Sequence, residues 1–149
     1  MSTTTEVKAE AVAETHKVTD LIDAHGIDVL EHLDREAQIP VLRGLQRQGD
    51  ILVIPEPTAK ATTRVPSEGV AVVRGENGGN THSILADGEV YCDLKAPSQT
   101  KLTVAALVVA PGATAFLAHP EHGYMAIGEG KYVINRQREQ AEEIRIVAD

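Results

Sequence analysis

Residues 115–139 read AFLAHPEHGYMAIGEGKYVINRQRE, and the punctuation of this stretch decides the fold. Apolar, strand-like segments flank a tight His-Pro-Glu-His-Gly turn, and a Gly-Glu-Gly turn leads into a third such segment. Strands are therefore expected over residues 114–119, 124–127 and 131–138. Working back toward the N-terminus, the same grammar repeats. Residues 102–110 form a long run apolar on both faces, which suits an interior strand, and Pro111-Gly112 turns the chain. Residues 50–54, GVAVV, THSILA and VYCDL supply four more short strands. Between them lie a polar loop, the glycine-rich turn ENGGN and an Asp-Gly pair read as a hairpin turn. The closing EEIRIVAD alternates weakly, as a last edge strand or a short helix. Many short strands with Gly and Pro between them predict a mainly β protein, an antiparallel sandwich or small barrel.

The first part of the chain differs in kind. Up to Glu36 there are nine acidic residues against three basic ones, a local charge of −6. Val7, Ala11, Val18, Leu21, Ile22 and His25 follow a spacing of three and four that Glu14 interrupts, which predicts a weakly amphipathic helix stopped by Gly26. Asp28 followed by Glu31 resembles a capping box for a second helix carrying Val29, Leu30 and Leu33, ended by Pro40. The expected organisation is an acidic, helical N-terminal extension over 1–47 and a β-rich domain over 48–149. On this reading the β region folds without the first 45 residues. The second helix docks on the chain's own body or on a copy of it.

Composition limits the function. The 149 residues are 42 % hydrophobic but only 3 % aromatic, with no Trp and one Phe, and the net charge is −8. A basic footprint and stacking aromatics are both missing, so nucleic-acid binding is disfavoured. No stretch is apolar enough to span a membrane and no signal-like segment opens the chain, so a cytoplasmic protein is expected, or a virion-associated one if phage-encoded. Cys92 is alone, which excludes an internal disulfide or a Cys-based zinc cluster. Its setting in VYCDL reads as a small buried hydrophobe.

Histidine is the best probe of chemistry. His82 follows the glycine-rich turn, and His119, Glu121 and His122 share the later one. Imidazoles with a carboxylate suit zinc, iron, manganese or nickel, so a divalent transition metal is the candidate cofactor. In an extended strand His119 and Glu121 lie on one face and His122 on the other, so they converge only if the chain curls sharply at 120–121. Loop polar groups without a ligand, and acid–base use without metal, are the competing readings. In the Arg136-Gln137-Arg138-Glu139 run, Arg136 and Arg138 share a face and could hold an anion or a partner. A charged sheet edge is the commoner use of such a strand.

These elements together resemble a family of small, uncharacterised β-rich proteins of bacteria and bacteriophages. The shared pattern is a Gly-Asp-led strand, Gly-His-x-His, His-Glu-Glu-His, a Gly-x-Tyr strand running into RQRE, and a closing Ile-Arg-x-Val-x-Asp, matched over about 48–149. Asn80 stands where the first His of Gly-His-x-His falls, and Pro120 replaces an acidic residue of His-Glu-Glu-His. A four-ligand family site would therefore be one ligand short here. Two functions follow as expectations. One is a non-enzymatic β module acting in assembly or partner binding, as a homo-oligomer or with another protein, plausible as a phage structural or accessory protein. The alternative is a metal-dependent enzyme with a cupin-like barrel site built from His82, His119, Glu121 and His122.

Overall fold

The computed structural model describes residues 11–30, 33–74, 81–95 and 102–137. In chain order its elements are β1 (Ala11–Lys17), α1 (Val18–His25), β2 (Gln38–Leu42), β3 (Gln46–Gln48), β4 (Ile51–Pro55), β5 (Val70–Val73), β6 (His82–Asp87), β7 (Val90–Leu94), β8 (Thr103–Val109), β9 (Thr114–His119), β10 (Gly123–Ile127) and β11 (Gly130–Arg136). One sheet runs β1-β2-β10-β9-β6-β5 and the other β3-β4-β11-β8-β7. Every pairing is antiparallel except β2 with β10. The chain is mainly β, two sheets face to face with one short helix, as the strand pattern predicts.

The topology corrects several local readings. Asp87-Gly88 does not make a hairpin, because β6 pairs with β5 and β9 while β7 pairs with β8 in the other sheet. Gly88, at φ 98, turns the chain from one sheet to the other. The strand ending in Arg136 is not a sheet edge: β11 is the middle of five, between β4 and β8. Arg138, Glu139 and the closing EEIRIVAD lie outside the described residues, as do ENGGN and Asn80. Near the N-terminus α1 ends as expected, with Gly26 at φ 80 and its N–H bonded to the Ile22 carbonyl. It starts only at Val18, however, and residues 11–17 before it are strand.

The second helix does not form among the described residues. Asp28 instead accepts the Val29 N–H at 2.7 Å and pairs with Arg35, which also reaches the Val29 carbonyl at 2.6 Å. These bonds close a loop, and the chain beyond it becomes β2. Pro40 sits inside β2 opposite Thr15, where a missing N–H is tolerated near a sheet edge.

Alternation sorts the core into two clusters. Ile84, Ala115, Leu117 and Ile127 face the second sheet, meeting Ile51, Val53, Leu107, Tyr132 and Ile134. Leu85, Phe116, Ala118, Tyr124 and Ala126 point the other way, under Val18, Leu21, Val29 and Val41 from the N-terminal segment. All six residues of β9 are therefore buried. The Tyr124 hydroxyl donates to the Ile27 carbonyl at 2.6 Å and pins the loop after α1. Of the residues that needed cover, Leu30 alone stays substantially exposed, at 41 %. No helix among the described residues is long and apolar enough to cross a membrane.

This second cluster gives the N-terminal segment a structural duty. Leu21 is 3 % exposed, and Leu21→Ala should cost about 2–5 kcal/mol in denaturant unfolding. A chain lacking residues 1–45 should unfold at clearly lower denaturant. An unchanged midpoint in both would mean that the segment does not pack as described.

Candidate metal centre

The two buried histidines are placed by strand register. Ser83 pairs with Ala118 and Ile84 with Leu117, so His82 and His119, one step further along, are neighbours across the ladder. They share the inward face with Ile84 and Leu117. His82 is 5 % exposed and His119 4 %. Their ring centroids lie 4.3 Å apart.

The third histidine arrives through a turn. The His122 N–H bonds the His119 carbonyl at 3.2 Å, which makes residues 119–122 a β-turn with Pro120 at its second position, where a fixed φ favours the bend. This is the sharp curl that convergence requires. It sets the His122 ring 4.5 Å from His119 and 5.9 Å from His82. One candidate ligand nitrogen from each of the three lies within 4.8 Å of the other two. Glu121, the fourth expected ligand, does not join that group. His122 is the exposed member, so the cluster opens to solvent on its side.

The β3–β4 turn closes the site from the opposite sheet. Gly49 adopts φ +61, and a Cβ there would sit 2.9 Å from His122 Nε2, so a side chain at this position would meet a left-handed backbone and would have to displace the His122 ring. Gln48 is buried, and its side-chain nitrogen donates to the carbonyls of Leu117 at 3.1 Å and Gly123 at 3.2 Å. It ties the turn to both strands that carry the His119–His122 bend. Asp50 follows, paired through its carboxylate with Arg136 Nε at 3.2 Å. Gln48 is not singled out by the sequence, because a glutamine's reach across sheets leaves no local signal, and Gly49 enters there only as part of the Gly-Asp-led strand, with no hint of its approach to His122. An apolar cleft of about 160 Å³, lined by Val18, Val29, Leu33 and Ile39, borders His122.

The family model for a domain of unknown function, DUF8820, matches residues 47–137. The chain belongs to the DUF8820 family. The matched DUF8820 stretch holds all three histidines, Gln48, Gly49, Asp50 and Arg136, and leaves out β1, α1 and β2. No curated protein and no solved structure matches the chain.

In the DUF8820 stretch, burial favours neutral imidazoles at His82 and His119. Burial lowers the His82 pKa from 6.5 to about 4, helped by its proximity to His119, His122 and Arg136 and opposed by Asp50. Burial is also the main cause of a lowered pKa at His119, with His122 adding to it and Glu121 and Asp50 opposing. Neutral nitrogens with free lone pairs are what a metal needs. His82 Nε2 is buried and has no hydrogen-bond partner among the described residues. The donor set and this orphaned nitrogen fit a transition-metal ion. His119 Nδ1, however, accepts the Glu121 N–H at 3.0 Å, so a metal on His119 must either take that position or turn the ring.

Cys92 is 2 % exposed, and burial drives its thiol up to about 12, which makes it a packing residue and not a nucleophile.

The histidine shifts carry a sign. Between pH 6.5 and about 4 the unfolded chain binds more protons than the folded one, so stability is complete above this window and falls as pH falls through it. Thermal melts in chelator should show the melting temperature dropping from pH 7 toward pH 4.5, and His82→Asn should flatten the drop. A wild-type curve no steeper than that of His82→Asn would contradict the buried, neutral assignment.

Proposed function

We propose that this chain is a small metalloprotein, in which His82, His119 and His122 hold one divalent transition-metal ion at the end of the two-sheet sandwich. The observation that supports this best is the convergence itself. Two inward-facing strand histidines and one turn histidine bring candidate nitrogens within 4.8 Å of one another. Nitrogens sharing a tetrahedral ion at bond lengths of 2.0–2.1 Å stand about 3.4 Å apart. Side-chain rotations of about an ångström would close the set.

Three histidine ligands leave one coordination position open, as in catalytic and not structural zinc sites. Bound there, the ion would supply Lewis acidity and a water of lowered pKa. The protein's share is to hold His82 and His119 neutral, exclude bulk water behind them, and leave access past His122. Metal-assisted hydrolysis or addition on a small substrate is the reaction class we assign. Glu121 is reassigned from ligand to turn residue, since its N–H, bonded to His119 Nδ1, orients that ring.

An assembly role rests on apolar residues of the N-terminal segment in need of cover. The chain's own sheet covers Val18, Leu21 and Val29, which removes that motive for an outside partner. A bacterial or bacteriophage setting, implied by the sequence resemblance, is part of the proposal.

Full-length protein purified without affinity metal should take up one equivalent of zinc or cobalt by elemental analysis and titration calorimetry. Free metal at a hundredfold excess over Kd should stabilise the fold by about 2.7 kcal/mol. His82→Ala and His119→Ala should weaken binding by at least about 100-fold, the upper end of what outer-shell substitutions cost, whereas Glu121→Gln should bind normally. Wild-type protein that takes up no stoichiometric metal, or His119→Ala with intact affinity, would refute the centre.

A further inference from the structure

We infer that the tri-histidine centre takes a small oxyanion as its ligand, a carboxylate or phosphate bound by one oxygen at the open metal position and by others on the terminal nitrogens of Arg136. This deepens the metal reading and rests on it.

The geometry starts from the β3–β4 turn. Gly49 lies against His122 Nε2, so the next residue, Asp50, sits at the rim of the cluster. Arg136, at the end of the central strand β11, pairs with Ile51 in the ladder and with Asp50 through Nε. A second tie, from the Gln137 N–H to the Asp50 carbonyl at 2.7 Å, holds the start of β4 to the end of β11. The guanidinium is thus anchored by Nε alone. Among the described residues its two terminal nitrogens carry no hydrogen bond. They form the fork that binds a carboxylate or phosphate end-on. The side chain is one-third exposed, open to a ligand yet held in direction.

Charge leads to the same ligand class. The Asp50 carboxylate balances the Arg136 charge, and imidazoles that ligate an ion add none. A divalent ion therefore leaves a net positive site, only partly offset by Glu121 beside His119. Such a site with an open position favours an anion over a neutral ligand. The histidines and Arg136 come from opposite sheets, so a ligand spanning them would bridge the open end of the sandwich.

Cobalt(II) replaces zinc in such sites and reports its coordination in the visible spectrum. Full-length cobalt-loaded protein should be titrated with acetate and, separately, with inorganic phosphate, at constant ionic strength in sodium perchlorate. The wild type should show a saturable change in its visible bands with at least one of them. Arg136→Gln should bind that anion at least 10-fold more weakly while keeping its cobalt. Arg136→Lys retains the charge and the Asp50 pair but loses the fork, and should fall between the two. If Arg136→Gln fails to fold, Arg136→Lys decides, since affinity equal to wild type would overturn the fork. No saturable change with either anion in cobalt-loaded wild type, or an Arg136→Gln affinity within twofold of wild type, overturns the inference and leaves the metal centre standing. Failure of the wild type to bind cobalt overturns the metal centre itself, and this inference with it.

Discussion

The pairing of β6 with β9 is the constraint on which the rest of the site depends. Opposing Ser83 to Ala118 sends His82 and His119 inward together with Ile84 and Leu117. Slipping one strand by a single residue would turn its whole inward set to the other face. That slip is costly because both faces of β9 are already committed. Ala115 and Leu117 fill the space between the sheets, while Phe116 and Ala118 lie under the N-terminal segment. The N-terminal residues therefore act on the site at a distance, since covering the outer face of β9 helps lock the register that sets the inner one.

Much of this was legible in the sequence and some was not, for identifiable reasons. Strands β4 to β11 follow from period-two alternation and from Gly and Pro punctuation, which are local signals. Sheet membership is not local. Asp87-Gly88 has hairpin chemistry but crosses between sheets, and Arg136 looks like an edge residue but ends the central strand. β2 was hidden by Pro40, which reads as a helix stop and here occupies a strand near the sheet edge. The Asp28 capping signal was diverted by Arg35, seven residues on, which engages both the Asp28 carboxylate and the Val29 carbonyl. The three histidines were visible as residue types, and the proline between two of them as a bend. Their meeting with His82 required the ladder, and the supporting roles of Gln48 and Gly49 required a contact between residues some seventy positions apart.

An ordinary structural explanation of the cluster has to account for its unpaired atoms. Buried polar atoms without a partner cost about 1–3 kcal/mol each, and proteins tolerate few of them. His82 Nε2 and Gln48 Oε1 are two such atoms among the described residues, and both lie in the corner where the β3–β4 turn meets the His119–His122 bend. Apolar residues of similar size would pack there without that cost. A fold that instead gathers three imidazoles, with burial holding two of them neutral, spends stability on lone pairs that its own donors do not satisfy.

The Glu121 N–H bond to His119 Nδ1 suggests how such a centre is kept from collapsing when no ion is bound. By occupying one nitrogen of the middle ring, the turn fixes its tautomer and places the proton on Nε2. Loading an ion must break that bond or rotate the ring, so each affinity measured is net of the turn's own hydrogen bond. Pro120 limits how far the bend can relax in compensation. The same four-residue turn that brings the ligands together thus also competes for one of them. In the proposed centre, metal affinity would depend on the backbone at Glu121 as well as on the number of histidines.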